Sequence, residues 1–371
     1  MNAKTFTILS AVTGVAVILA VVAMLGQPRF EATDTHGESL LPNLVKDSER
    51  LKTVVVRQNG ETLSLDWDGK FWHARERHNY LANGDRISNL LVALARMTKI
   101  EGKTKSPERY ARLEVEDPTT KNARSRQVSL IDNTGKEIGS VILGKRQYNI
   151  GSQGNNTYVR LAGDPKVWLA AGEVEDSQTG INDWLNKEVV NISANVIGRV
   201  TVTHNNGEKV VAKRETTESP NLVIENLPKS AAAASDGTAD EYAHVLSSMA
   251  LEDVAAAADK PFPKDATTIV VIEGMTGFTV TMEMAEIDGI DWIKIKGTPP
   301  STEMSKPGDS KMVDLRTDWA ALMNGLNARA EGWAFQVPAY QVASLKRRMT
   351  DLLRKADAPR SGPPAQDHNR N

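Results

Sequence analysis

The chain has 371 residues, 40% of them hydrophobic and 25% charged, so it should fold and is long enough for two domains. Its 45 basic and 47 acidic residues give a net charge of −2, without the basic excess typical of nucleic-acid binding. The chain contains no cysteine, which excludes disulfide frameworks, thiolate metal sites and cysteine nucleophiles.

An apolar segment near the N-terminus predicts a transmembrane helix. No residue from Thr5 to Gly26 is charged, and residues 6–25 span about 30 Å as a helix, the hydrocarbon thickness of a bilayer. A cleaved signal peptide has a shorter apolar region followed by a small-residue cleavage site, whereas this segment ends in Met24-Leu25-Gly26-Gln27-Pro28. We therefore expect an uncleaved single-pass anchor over residues 1–26, in contact with the lipid bilayer.

The charges that flank this segment indicate its orientation. Lys4 precedes it, and Arg29 is followed by Glu31, Asp34 and Glu38. The positive-inside rule then favours a cytoplasmic N-terminus and a body on the periplasmic or extracytoplasmic side of a bacterial cytoplasmic membrane.

Residues 27–50 are predicted to be a polar tether, and residues 51–190 a first α+β module. Asn59-Gly60, between two β-rich stretches, predicts a hairpin, because a type I′ turn needs positive φ at both central residues. A third strand is expected at Lys70–Arg75 and a helix at Asp85–Met97. The apolar face of that helix comprises Ile87, Leu90, Leu91, Leu94 and Met97. Further predicted strands are Gln127–Asp132, Ser140–Leu143, Thr157–Leu161 and Lys166–Ala170.

Residues 191–357 repeat this order. Asn206-Gly207-Glu208 aligns with Asn59-Gly60-Glu61, and both halves contain an Asp-Trp pair, at Asp183-Trp184 and Asp318-Trp319. The remaining predicted elements are a helix at Glu241–Ala257, a hairpin of Thr268–Glu273 and Phe278–Ala285, and a strand at Asp291–Lys296. The pattern predicts an internal duplication, with two α+β modules of antiparallel sheet and packed helices.

Three further segments complete the second half. Ser230–Ala239 is predicted to be an inserted low-complexity loop, and Ala339–Lys355 a closing helix. Residues 358–371 are rich in proline, glycine and asparagine and are predicted to be a disordered tail.

Three segments resemble catalytic or metal-binding motifs, but each lacks residues that the motif requires. Gly102-Lys103-Thr104 resembles the end of a phosphate loop, but Met97 stands where the first glycine is required. His73 and His78 should lie on opposite faces of a strand, without a nearby carboxylate cluster, so they are interpreted as surface residues. Asp66–Gly69 lacks the other ligands of a calcium loop and is interpreted as a hairpin turn.

The aromatic and acidic residues single out no site either. The seven tryptophans could form a sugar- or peptide-binding surface, but packing in the core is favoured; they are Trp67, Trp72, Trp168, Trp184, Trp292, Trp319 and Trp333. No sequence feature marks two of the carboxylates as the acid and base, or acid and nucleophile, of a glycosidase. We therefore predict no catalytic, cofactor-binding or metal-binding residues.

Several segments, in this order along the chain, resemble a bacterial family of membrane-anchored envelope proteins classed as a domain of unknown function. They are Lys103–Pro118, Val141–Arg146, Thr157–Arg160, Pro165–Leu169 and Asp183–Glu188. The resemblance implies one N-terminal transmembrane helix and a duplicated α+β ectodomain. A related domain occurs in the auxiliary subunit of gliding-motility-type ABC transporters, which implies permease and ATPase subunits as partners. It implies no catalytic or ligand-binding residue.

We therefore expect a non-enzymatic accessory protein of the cell envelope that acts through protein contacts with an ABC-type export complex. The alternative is a tethered ligand-binding module that holds a glycan or peptide in the cleft between the two modules. A hydrolase with an unrecognised carboxylate pair is a third hypothesis.

Overall fold

The computed structural model describes residues 37–148, 155–174, 180–228, 233, 237–301 and 317–353. The chain forms two compact units that divide between Lys187 and Glu188. The predicted anchor, the predicted tail and most of the predicted insertion at Ser230–Ala239 lie outside the described residues. In the described parts of the chain, no helix is both long enough and apolar enough to cross a membrane.

The first unit is built on a nine-stranded antiparallel sheet. Its strands are β1 (Leu51–Gln58), β2 (Glu61–Trp67), β3 (Trp72–Ala74), β4 (Tyr80–Leu81), β5 (Thr98–Thr104), β6 (Arg126–Asp132), β7 (Glu137–Gln147), β8 (Asn156–Leu161) and β9 (Val167–Ala171). Their spatial order is β4-β3-β2-β1-β6-β7-β8-β9-β5. The described helices are α1 (Pro42–Lys46), α2 (Gly84–Arg96) and α3 (Tyr110–Leu113), with 3-10 turns at Ser48–Arg50, Arg75–Arg77, Pro107–Arg109 and Ile181–Trp184.

The first hairpin forms where the turn residues predict it. Asn59 and Gly60 have φ of 52° and 80°, and Gln58 pairs directly with Glu61. Positive φ at both central residues is the type I′ geometry, whose twist matches that of the flanking strands. The hairpin prediction is confirmed, with β1 and β2 as its strands.

Helix α2 also follows its sequence pattern. The Asn83 side chain accepts a hydrogen bond from the Arg86 N–H and caps the N-terminus. Ile87, Leu90 and Leu94 are buried, and Met97 directly after the helix is buried as well. The predicted apolar face is therefore the buried face, with Leu91 half-buried at its margin.

Residues 37–50 differ from the predicted tether. Ser39 forms a β-bridge with Thr98, and Leu40, Leu41 and Leu44 are at most 6% exposed. These leucines bury enough apolar surface to hold the segment, including α1, in the first unit. The tether prediction is therefore corrected for residues 37–50. The sequence did not predict this burial because polar residues surround the leucines.

The second unit contains an eight-stranded sheet and a separate pair of strands. The pair is β10 (Glu188–Val190) with β14 (Met249–Ala250). The strands of the larger sheet are β11 (Ile197–Thr203), β12 (Lys209–Lys213), β13 (Val223–Ile224), β15 (Asp253–Ala256), β16 (Thr268–Gly274), β17 (Thr279–Ile287), β18 (Ile290–Thr298) and β19 (Trp333–Gln336). The described helices are α4 (Asp240–Ala243), α5 (Trp319–Ala330) and α6 (Ala339–Lys346), with 3-10 turns at Ala194–Val196, His244–Leu246 and Met349–Leu352.

The two larger sheets share a strand order. The second runs β13-β12-β11-β16-β17-β18-β19-β15. In both sheets the first hairpin pairs with a strand from after the helical segment, and the first strand of the sheet after the helical segment lies at the far edge. The described fold is mixed α+β with mostly antiparallel sheets, as the sequence predicts at this level.

The hairpin between β11 and β12 has a different turn from the hairpin between β1 and β2. Its loop is Asn205-Asn206-Gly207, in which Gly207 has φ of 85° and His204 N–H donates to Glu208 O at 2.9 Å. This is the three-residue loop with glycine in the left-handed position, whereas Asn59-Gly60 forms a two-residue loop. The two Asn-Gly-Glu sequences therefore both lie in hairpins, with turns of different length.

The predicted helix Glu241–Ala257 is wrong beyond its first two turns. The segment forms α4 and a 3-10 turn and then two strands, β14 and β15. Ser248 has φ of 54°, which ends helical geometry, and Ala256 pairs with Trp333 in the sheet. The alanine-rich sequence favours a helix locally, but pairing with β19 overrides that preference.

The predicted closing helix Ala339–Lys355 is also shorter than expected. Helix α6 ends at Lys346, and a 3-10 turn follows at Met349–Leu352. Arg347 O and Met349 N–H bond to side chains of the β11–β12 hairpin instead of continuing the helical ladder. A tertiary contact therefore ends the helix.

Candidate functional site

An open groove of about 500 Å³ lies in the second unit. One wall is formed by α4, the following 3-10 turn and the residues up to Ser248, and the other by α6. The lining residues are Glu241, His244, Val245, Ser247, Ser248, Tyr340, Gln341, Ala343 and Ser344.

The burial pattern of each wall turns most of these residues outward, whereas Val245 and Ser344 are buried. Tyr242 and Leu246 are fully buried on one wall, and Val342 and Leu345 are fully buried on the other. Tyr340 consequently points away from the core and is 77% exposed. An aromatic side chain this exposed beside a groove is a feature of protein contact surfaces.

Several polar groups of the groove already hold its walls together. Glu241 pairs with Arg347 at 2.8 Å, and the Gln341 side-chain oxygen accepts from Ala250 N–H at 3.2 Å. Ser247 donates its hydroxyl proton to Ile192 O at 3.2 Å. A serine activated by a histidine base would donate its proton to that histidine. Ser247 instead donates to a backbone carbonyl and not to His244.

The other polar groups face solvent. His244 is exposed, and its ring has no polar partner among the described residues. Tyr340 Oη accepts a hydrogen bond from Gln341 Nε2 at 3.4 Å and still has its own proton to donate. The groove thus offers an aromatic ring and hydrogen-bonding groups on an apolar floor, an arrangement suited to binding a polypeptide segment.

The α6 wall is held by a contact that we call the C-terminal clamp, in which residues 204–208 form hydrogen bonds with residues 347–349. His204 Nε2 bonds to Arg347 O at 3.0 Å, and the Glu208 carboxylate accepts from Met349 N–H at 2.7 Å. The Arg348 guanidinium donates to the Asn206 side chain at 2.8 Å and lies 3.4 Å from Glu208.

The clamp changes the protonation of both titratable groups in the hairpin. Burial lowers the pKa of His204 below its usual value, and the Arg348 charge lowers it further. The hydrogen bond from Met349 N–H lowers the pKa of Glu208. At neutral pH the clamp therefore holds a neutral imidazole and an ionised carboxylate.

The rejected motifs occupy structural positions. Gly102, Lys103 and Thr104 lie in β5, a strand at the edge of the sheet. His73 bonds to Asp68 Oδ2 at 2.9 Å and to Asn79 O at 3.0 Å. Asp68 Oδ1 accepts hydrogen bonds from the backbone N–H groups of Lys70 and Phe71, so the segment forms the predicted hairpin turn. The described residues include no group of three or more metal-ligating side chains.

The tryptophans mostly pack inside the units. Trp72, Trp184, Trp292 and Trp319 are at most 9% exposed, and the other three are half-buried. The alternative of a glycan- or peptide-binding module requires exposed aromatics such as Trp168 or Trp292. The 5% exposure of Trp292 counts against that alternative.

The groove was missed by sequence reasoning, although one wall left a signal. Glu241, His244 and Ser248 have the spacing of one helical face, opposite the buried Tyr242 and Leu246. The second wall is contributed by residues nearly one hundred positions later, and no short-range pattern predicts that contact.

One comparison with known proteins finds a relationship. The model of a family described as Domain of unknown function (DUF4340) matches residues 72–267. Neither the curated proteins nor the solved structures contain a match.

Proposed function

The chain belongs to the family described as Domain of unknown function (DUF4340), and we propose that it is a non-enzymatic, membrane-anchored accessory protein of the bacterial cell envelope. In this proposal residues 6–25 are a single-pass anchor in the cytoplasmic membrane. The N-terminus faces the cytoplasm and both folded units lie on the opposite side. The uncharged sequence of that segment and its flanking charges support this arrangement.

The observation that carries the binding role is the groove beside Tyr340. The Ser247 and Gln341 side chains bond to backbone groups, and Glu241 pairs with Arg347, so these three side chains serve to hold the walls. The exposed phenol and imidazole remain for a partner. Tyrosine is a frequent energetic centre of protein interfaces because its ring buries a large area at low entropic cost.

We further propose that the partner is the permease of an ABC-type export complex, with the ATPase recruited through it. The support is the resemblance of residues 100–190 to envelope proteins related to transporter auxiliary subunits. The permease is the member of such a complex with surface on the extracytoplasmic side, where this proposal places the groove.

The shared strand order of the two larger sheets supports a duplication of one α+β module. The copies have diverged at their surfaces, since α4 of the groove has four residues where α2, in the corresponding place of the first unit, has thirteen. A partner-binding surface in one copy alone is consistent with an accessory role.

Co-purification from the native host tests the proposal. The full chain is extracted in mild detergent at native expression, and the recovered permease and ATPase are quantified by mass spectrometry. Tyr340→Ala should reduce recovery by roughly tenfold or more, since truncating an interface tyrosine typically costs about 1–3 kcal/mol.

Tyr148→Ala is the matched control, because Tyr148 is also strongly exposed, at 66%, but lies in the first unit. It should leave recovery unchanged. Repeated recovery of the chain without transporter subunits contradicts the proposed partner. Equal loss with both variants contradicts the groove as the contact surface.

A further inference from the structure

Strand β5 forms one edge of the nine-stranded sheet, and the chain enters the fold beside it. Ser39 bridges to Thr98, Lys99 N–H donates to Glu38 O at 2.9 Å, and Leu40 N–H donates to Met97 O at 2.9 Å. The covalent path to the proposed anchor therefore leaves the first unit at this edge and not at the β4 edge.

The side chains at this edge combine exposed apolar surface with ammonium groups. Ile100 is 46% exposed, and Lys105 is exposed in the segment directly after β5. Trp168 of β9 is half-buried, with Lys166 Nζ 3.8 Å from its ring centroid and Lys99 Nζ 5.2 Å from it. An isoleucine, a tryptophan and three lysines thus share one edge.

Gly102 makes room for part of this arrangement. It pairs with Trp168 across the two strands, and a Cβ at position 102 would approach Lys166 Cε to 2.6 Å. The missing side chain lets Lys166 extend across β5 beside the indole ring. The position of the Lys166 ammonium group at the sheet edge therefore depends on glycine at residue 102.

Protection of an edge strand from aggregation explains only some of these residues. Lys99 pairs with Glu38 at 3.2 Å and Lys103 with Glu101 at 2.6 Å, which suits an edge that must stay soluble. Lys105 and Lys166 have no acidic partner in the part of the chain that the structure describes. Edge protection also gives no reason to expose Ile100.

We propose that the β5 edge, defined by Ile100, Lys105, Lys166 and Trp168, binds the surface of a bilayer that contains anionic phospholipids. Tryptophan is enriched at the membrane–water interface, and lysines without an acidic partner are attracted to anionic headgroups. The inference rests on the proposed membrane anchor. It adds a second membrane contact that fixes how the first unit lies on the bilayer.

Chain length agrees with this placement. Residues 26–37, between the proposed anchor and the described fold, can span at most about 40 Å. Nine strands about 4.8 Å apart place the β4 edge on the order of 40 Å from β5. The β5 edge can therefore lie on the bilayer without extending these residues, whereas placing the β4 edge there requires them to be almost fully extended.

The absence of cysteine permits a site-specific test with the full chain in proteoliposomes. Ile100→Cys and Phe71→Cys each carry an environment-sensitive fluorophore. Phe71 is the matched control because it is 40% exposed and lies in the β2–β3 turn, towards the opposite edge. Vesicles contain phosphatidylcholine alone or with phosphatidylglycerol.

The label at position 100 should brighten several-fold, shift to the blue and be quenched by nitroxide lipids, and only in vesicles with phosphatidylglycerol. Lys105→Glu should remove this response, as should high salt. Lys70→Glu, the same charge change in the turn that holds Phe71, should leave it intact. The label at position 71 should stay in water throughout.

The inference is overturned if the labels at positions 71 and 100 respond equally. It is also overturned if the response at position 100 does not depend on anionic lipid and salt. A label at position 100 that stays in water while the chain floats with the vesicles overturns it too, a result that leaves the anchor intact. A chain that does not float overturns both the anchor and the inference that rests on it.

Discussion

Replacing Glu208 by alanine should open the C-terminal clamp without unfolding the second unit. The carboxylate accepts a hydrogen bond from Met349 N–H at 2.7 Å, and a charge-assisted bond of this kind contributes about 1.5–3 kcal/mol. The 3.4 Å contact with Arg348 adds at most about 1 kcal/mol, because both side chains are partly exposed to screening by water.

Hydrogen exchange measured by mass spectrometry on the full chain isolates this effect. Peptides that cover residues 347–353 should exchange roughly ten- to a hundredfold faster in Glu208→Ala, since each 1.36 kcal/mol of opening free energy is a factor of ten. Peptides from the first unit should not change. The N–H groups of Arg347, Met349 and Asp351 are hydrogen-bonded in the folded unit, so exchange in this segment reports on opening.

Glu225→Ala is the control. Glu225 lies in the same unit and pairs with Lys213 and Arg199, but in these contacts its carboxylate bonds only to side chains. It should leave exchange at residues 347–353 unchanged. Unchanged exchange in Glu208→Ala, or equal acceleration in both variants, would refute the clamp as the contact that holds the wall of the groove.

Three other substitutions have expected outcomes. The pKa of His204 is lower in the folded state than in the unfolded state, so the unfolded state takes up a proton first as the pH falls below 6.5, and the free energy of unfolding decreases. The melting temperature of the wild type should therefore drop more between pH 7 and pH 5 than that of His204→Gln. Gly144→Ala should destabilise by about 1–3 kcal/mol, because the new Cβ would lie 2.5 Å from Leu113 O. Gly325→Ala, inside α5 with its nearest contact at 3.7 Å, should stabilise by about 0.5–1 kcal/mol. Urea unfolding measures both glycine variants.

Local chemistry allowed much of the fold to be predicted from the sequence. The Asn59-Gly60 turn specifies a hairpin through the φ values of two adjacent residues, and the spacing of Ile87, Leu90 and Leu94 specifies the buried face of α2. In both places the residues that decide the structure lie within a few positions of one another. Strands β16, β17 and β18 were found for the same reason.

The predictions from sequence are wrong where contacts with residues far along the chain determine the structure. The 241–257 segment has helical preference, but its end pairs with β19 about eighty residues later. Helix α6 ends early because a hairpin loop more than one hundred residues earlier binds Arg347 and Met349. The groove depends on both of these contacts, so neither its shape nor its residues followed from local patterns.

Site-specific photocrosslinking at residue 340 tests the central claim of a partner-binding groove most directly. A photoreactive amino acid replaces Tyr340 in the full chain, expressed at native level in its own host, and a second strain carries the same group at Tyr148. The account predicts a covalent adduct with a transporter permease from position 340 and none from position 148. Adducts of equal yield at both positions, or no permease adduct at position 340, would contradict it.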